Sequence, residues 1–234
     1  MNILELYERL SYGELINLSM ANDGNGTIIE EKRPTVIQHA NEALLRLHSR
    51  FVLKEKDVII EQVEHITHYH IDSRFSESLG DPDKEKYLYI KDNPEEPYDG
   101  DAIKVIKVFN EYGREIALND EQNQLSYYTP KPLTIQVPAP KTGRAFVASY
   151  QARHVKLDVE NEEQIIDLPD VLVPAMTAYI AHKIFSNMVG EENIAKGAEQ
   201  LQVYEAMCEE VLDQDLVSTS VTTTSTKFDR RGFV

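Results

Sequence analysis

Residues 34–63 read PTVIQHANEALLRLHSRFVLKEKDVIIEQV, and a change of period inside this stretch decides the fold class. In its first half Ile37, Ala40, Leu44, Leu47 and Phe51 recur at spacings of three and four, the pattern of one buried helix face. Pro34 stands where such a helix begins, because the N–H it lacks goes unpaired in a first turn anyway. From about Asp57 the apolar residues instead crowd into 58–63, a short run of strand character. The chain therefore switches from helix to sheet near residue 56.

Further strand-like runs follow at 87–90, 103–109, 133–137 and 145–157, separated by Pro, Gly and Asn clusters. The clearest puts Phe146, Ala148, Tyr150 and Ala152 on one face, and Tyr112-Gly113 sits where a hairpin turn is expected. Residues 93–101, NPEEPYDGD, are polar and punctuated, so they are expected at the surface. Upstream, about seventeen residues read as helix with Ile3, Leu6, Tyr7 and Leu10 on one side, ending before the turn NDGNG at 22–26. Downstream, Pro169 and Pro174 mark a helix start, with a stripe of Val173, Met176, Ile180 and Ile184. A last helix, about 191–214, is expected to bury Ile194, Ala198, Leu201, Tyr204, Cys208 and Val211. Helices at both ends and strands between them predict an α+β fold: a helical bundle from the N- and C-terminal segments with an inserted antiparallel β region. The expected parts are 1–55, an N-terminal helical part; 56–158, the inserted β domain; 159–215, helices completing the bundle; and 216–234, an extended arm.

The arm reads LVSTSVTTTSTKFDRRGFV. Its Ser/Thr run is too polar for a core and too β-branched to favour helix, whereas a linker built for flexibility would use Gly and Ser. At its tip, Lys227, Phe228, Arg230, Arg231 and Phe233 combine positive charge with apolar anchors, as in a segment that orders on a partner.

The 234 residues carry a net charge of −16, which argues against gripping nucleic acid. The acid is uneven: residues 158–215 hold fourteen Asp or Glu against Lys183 and Lys196, a net charge of −12. Either a solvated face or a surface for a basic partner accounts for it. In so acidic a chain the cationic cluster Arg46, Arg50, Lys54 and Lys56 serves either solubility or pairing with the acidic terminal helix of a neighbouring copy, at residues such as Glu209 and Glu210. Cys208 is the only cysteine, so no intrachain disulfide is possible, and its place in an apolar stripe makes it a core filler. With no apolar leader at residues 1–10 and no run of about eighteen apolar residues, the chain is expected to be made in the cytoplasm and to meet no membrane.

Candidate chemistry is sparse. His65, His68, His70 and Asp72 offer four metal ligands in eight residues, but on a strand the same-face members would stand about 6–7 Å apart, too far for one ion without a bend. The turn beginning Asp23-Gly24 places Pro34 where a calcium loop needs its terminal Glu. Asp99 and Asp101 beside Glu95 and Glu96 would gather a divalent ion weakly. No phosphate loop, dinucleotide fingerprint or nucleophile motif is present, so no enzyme activity and no cofactor are expected. A metal-dependent enzyme at the histidines, or a monomeric binding module using the β region, is the competing reading.

Three stretches resemble one family: ILELYERLSYGELINLSM at 3–20 with NEALLRLHSRFVLKEKDVIIE at 41–61, LPDVLVPAMTAYIAHKIFSNM at 168–188, and STSVTTTSTKFDRRGFV at 218–234. They are similar to the head-to-tail adaptors, also called connector or tail tubular proteins, of short-tailed bacteriophages. The likeness covers the helical parts, about half the chain, and the β region matches only in kind. It implies a structural virion protein of the neck, assembled in the host cytoplasm. Such a protein forms a ring, typically dodecameric, that joins the portal to the tail nozzle or fibre proteins and lets DNA pass without specific binding. It further implies that the arm, through Lys227, Phe228, Arg230, Arg231 and Phe233, reaches the portal. The long loop at 79–100 has no counterpart in the resemblance.

Overall fold

The computed structural model describes residues 1–93 and 97–217. Four helices, α1 (Ile3–Tyr12), α2 (Arg33–Arg50), α3 (Val173–Ser186) and α4 (Glu191–Asp213), bracket an antiparallel sheet region in chain order, so the fold is α+β. Asn2 starts α1 with a capping box: its Oδ1 accepts from the Glu5 N–H at 2.8 Å while Glu5 Oε2 accepts from the Asn2 N–H at 3.2 Å. Ile3, Leu6, Tyr7 and Leu10 are buried as their spacing predicts, but the helix stops at Tyr12 instead of near residue 17. Gly13 ends it, its N–H returning to the Arg9 carbonyl at 2.8 Å.

The helices share one apolar core whose members come from residues 3–51 and 157–211, so the two ends of the chain close one bundle. Backbone pairing reinforces this closure, because the Ile166 N–H donates to the Met1 carbonyl at 2.8 Å and Asn2 bridges Ile165. Ile37, Ala40, Leu44, Leu47 and Phe51 all lie in that core, as do Val173, Met176, Ile180 and Ile184.

Between them run β1 (Glu55–Glu61), β2 (His68–His70), β3 (Ile90–Lys91), β4 (Ala102–Asn110), β5 (Tyr128–Lys131), β6 (Thr134–Gln136) and β7 (Ala145–Ala152). One sheet has the order β3-β1-β7-β4 and the other β2-β6-β5, with all strand pairs antiparallel. In the first, Val58 stands opposite Ala148 and Ile60 opposite Phe146, so the inward residues of β1 and β7 meet in a separate core spanning residues 58–152. Gly113, at φ +72°, turns the chain after β4 as the sequence implies.

Several expectations need correction. The run at 145–157 leaves the sheet after Ala152, because the next residues lie along α2, where Asn41 takes both backbone groups of Leu157. Within 87–90 only Ile90 belongs to a strand, while β2 and β5 are short pieces with little apolar alternation, and Pro130 sits in β5 at the sheet edge. The 93–101 loop is not wholly at the surface: Tyr98 is buried and donates to the Ile71 carbonyl at 3.2 Å, and Asp101 is buried beside it. On α4 the expected face shifts, for Ile194 and Ala198 are exposed and Gly197 is buried instead.

Candidate functional site

The acidic terminal helix α4 presents its charge on the side away from its packing seam. Gly190, at φ +120°, breaks the chain after α3, and Glu191 and Glu192 then occupy the first turn of α4, where the helix dipole favours them. The seam against α3 is Gly197, Leu201, Tyr204, Cys208 and Val211. A methyl group at Gly197 would lie 2.6 Å from Ser186 Oγ and 3.1 Å from Ser186 N, so the two helices cross closely there and any side chain would make Ser186 move. Burial pushes the Cys208 thiol up, away from reactivity. The opposite side exposes Glu199, Gln202, Ala206, Glu209, Glu210 and Asp213. The last turn holds no basic residue, so Glu210 and Asp213 sit against the negative end of the dipole. Leu212 and Leu216 are about half exposed beside them, and the Leu216 N–H closes the helix end on the Val211 carbonyl at 3.2 Å.

The cationic cluster is spread over three separate environments. Arg46 lies over the Tyr179 ring at 5.1 Å, and Arg50 pairs with Glu205 of its own chain at 2.5 Å. Lys56 points into the β core, where its ammonium meets Asp99 and Asp101, each at 3.1 Å. Burial opposes that charge, yet the hydrogen bonds to Asp101 and Asp99 outweigh it and hold the amine above its ordinary range. Tyr150 Oη donates to the same Asp101 at 2.9 Å. The two aspartates expected to gather a divalent ion are thus turned onto a lysine. Lys54 is half-buried where the chain passes from bundle to sheet, and Glu209 and Glu210 remain exposed.

His68 and His70 flank buried Tyr69 on β2, both exposed, and His65 lies in the preceding turn. Each ring is occupied locally: His68 Nδ1 meets Thr67 Oγ1 and His70 Nδ1 meets Thr134 Oγ1, both at 3.0 Å. Asp72 caps the turn at Ser73–Phe75, taking the Arg74 N–H at 3.0 Å and Nε at 3.2 Å, which holds its carboxyl below the usual range. Among the described residues no three His, Cys, Asp or Glu side chains converge to hold a metal. No helix among them is long and apolar enough to cross a membrane. The arm residues Lys227, Phe228, Arg230, Arg231 and Phe233 lie outside the described residues.

One cluster is not foreshadowed by the sequence reading. Where α2 meets β7, Gln151 Nε2 donates to the carbonyls of His48 and Phe51, and His48 Nδ1 faces the Ala152 carbonyl at 3.3 Å. His154 stands edge-on to His48 at 5.6 Å, and its Nε2 accepts from the Asp167 N–H at 2.9 Å. Burial pushes the His48 imidazole down to about 4 and lowers His154 as well. These groups form the joint between bundle and sheet.

No family model matches the chain, and no curated protein sequence matches it.

Proposed function

We propose that this protein is a structural ring component that joins a capsid portal to a tail and surrounds the channel through which packaged DNA passes. The observation that carries the reading is the outer face of α4, which exposes Glu199, Glu209, Glu210 and Asp213 and is followed in sequence by the 216–234 arm. A face with acids at its unfavourable dipole end is built at some expense of local helix stability, which a partner of opposite charge offsets. The resemblance to head-to-tail adaptors supplies the partner class, and the bundle closed by both chain ends with an inserted sheet region agrees with it. Repeated around a ring, so acidic a chain repels phosphate and lets DNA slide instead of sticking. Affinity for the portal then comes from many modest contacts and from an arm that orders on arrival, multiplied by the ring.

The test is co-sedimentation with purified portal. A chain ending at Val217, which keeps the Leu216 closure of α4 and the packing of Val217 on the helical core, is expected to keep its helical spectrum and its unfolding midpoint while losing portal association. Unchanged portal binding by that truncated chain overturns the role of the arm, and absence of binding by the full chain overturns the adaptor reading.

A further inference from the structure

A hollow of about 300 Å³ opens between the turn at Ser19–Gly24, the start of α2 and the end of α3. That volume is at the small end of ligand pockets, which run to about 1,000 Å³. Its buried wall is His39 and Ile184, 5% and 6% exposed, and half-buried Leu18 and Met20 with Met188 make the rest of it apolar. Lys32 and Thr35, at the N-cap and in the first turn of α2, form its exposed edge at the positive end of that helix's dipole. No Asp or Glu lines the hollow, although the chain carries a net charge of −16. Lys32 has no carboxylate within ion-pair distance among the described residues. His39 is the group that packing leaves unexplained. Both of its ring nitrogens are buried and neither has a hydrogen-bond partner among the described residues, a loss that native interiors rarely leave standing. Glu42 Oε2 is 3.9 Å from His39 Nδ1, beyond hydrogen-bond reach, and is taken by Lys183 at 3.0 Å. That carboxylate favours the proton on Nδ1 and leaves Nε2 as an acceptor. Burial lowers the imidazole, so the free chain holds it neutral at pH 7.

We propose that this hollow binds a small monocarboxylate with an apolar body, the carboxyl group bonding His39 and drawn by Lys32, the body lying against Leu18, Met20 and Met188. The inference stands apart from the adaptor reading and needs no second copy of the chain. Each half of the ligand answers one half of the site. An inorganic anion would leave the apolar walls wet, and a neutral amphiphile would leave Lys32 and the helix end without a charge to attract. A carboxylate and a neutral imidazole nitrogen are both acceptors, so the hydrogen bond between them needs a proton from solvent. Whether that proton rests on Nε2 or on the carboxyl oxygen, the complex holds one more than the free chain and free ligand together. Glu42 on α2 favours the imidazolium form, whereas Lys183 on α3 opposes it. Above the ordinary pKa of histidine, about 6.5, both partners are deprotonated when apart, so affinity falls by up to about tenfold for each pH unit.

Isothermal titration calorimetry of the full chain with octanoate tests it, run about one pH unit apart near pH 6.5 and 7.5 and in two buffers of different ionisation enthalpy, which counts the protons. Octanoate is expected to bind with a Kd below about 1 mM at the lower pH, to take up close to one proton, and to bind about tenfold more weakly at the higher pH. Acetate, which lacks the body, and octanol, which lacks the charge, are each expected to bind at least about tenfold more weakly than octanoate. His39→Leu is expected to abolish proton uptake and to weaken octanoate at least about tenfold. Lys32→Gln, at the exposed edge, is expected to weaken octanoate about threefold or more and to leave octanol unchanged. Octanoate and octanol binding alike, or octanoate binding without proton uptake, would mean apolar adsorption only and overturn the proposal. So would no heat of binding for octanoate, or His39→Leu binding it as wild type does. The proton count is made on wild type and Lys32 is exposed, so the proposal stays open to refutation even where His39→Leu fails to fold. Portal association enters none of these measurements, so their outcome leaves the adaptor reading where it stands.

Discussion

At the scale of single residues, the joint between bundle and sheet makes a pH-dependent prediction. His48 is about 1% exposed and its Nε2 has no hydrogen-bond partner among the described residues, so the charged form is poorly accommodated in the folded chain. Its pKa is about 4 folded against an ordinary 6.5, so between those values the unfolded chain binds the extra proton. The associated stability is complete above pH 6.5 and is lost as pH falls toward 4, a contribution of roughly 3 kcal/mol. Burial shifts His39 and His154 in the same direction, so wild type is expected to show their combined slope. Urea unfolding at several pH values should show that slope, and His48→Gln should flatten it by the share of one residue. An unchanged slope in the variant would mean that His48 is hydrated or paired in solution. None of this is legible in the sequence. Gln151 alternates with Phe146, Ala148 and Tyr150, and a polar alternate position on a strand reads as solvent-facing until a helix is known to cover it.

At the scale of elements, the α3–α4 crossing turns on Gly197. In an exposed helix a Gly→Ala change stabilises by about 0.5–1 kcal/mol, but here the new methyl would meet Ser186 Oγ at 2.6 Å and its backbone nitrogen at 3.1 Å. Gly197→Ala is therefore expected to destabilise by about 1–2 kcal/mol. Adding Ser186→Ala should recover part of that loss, since it removes the hydroxyl and leaves the backbone contact. Thermal unfolding of the two variants checks both steps, and a stabilised Gly197→Ala would show that the helices stand further apart. The sequence conveyed this element well in kind and poorly in phase. Helical period located α4, but Ile194 and Ala198 fit a 3.6-residue stripe as readily as Gly197 and Leu201, and an apolar pattern gives no weight to a glycine. The same limit explains Arg50 and Lys56. Charge along a chain names the cations available for pairing, whereas which carboxylate each one meets depends on how the helices and strands fold back on one another.

At the scale of the whole molecule, the change of period near residue 56 was enough to place the sheet region between two helical segments, and the two apolar cores coincide with that division. What the sequence could not convey is how narrow the passage between them is. The Ala152 N–H donates to the Lys54 carbonyl at 2.9 Å, so the chain enters and leaves the sheet region side by side. Residues 55–152 can therefore be replaced by a linker of about four residues without stretching the bundle. Such an excised chain keeps every member of the helical core and gives up the contacts of Gln151 and Ala152 with α2. At about 1 kcal/mol for each lost hydrogen bond, the remaining bundle is expected to unfold cooperatively at a midpoint lowered by roughly 5–15 °C. Circular dichroism on heating checks this. The excised chain should show a predominantly helical spectrum and one sharp transition; a gradual, non-cooperative melt would mean that the two cores stabilise each other through the joint and fold only as one unit.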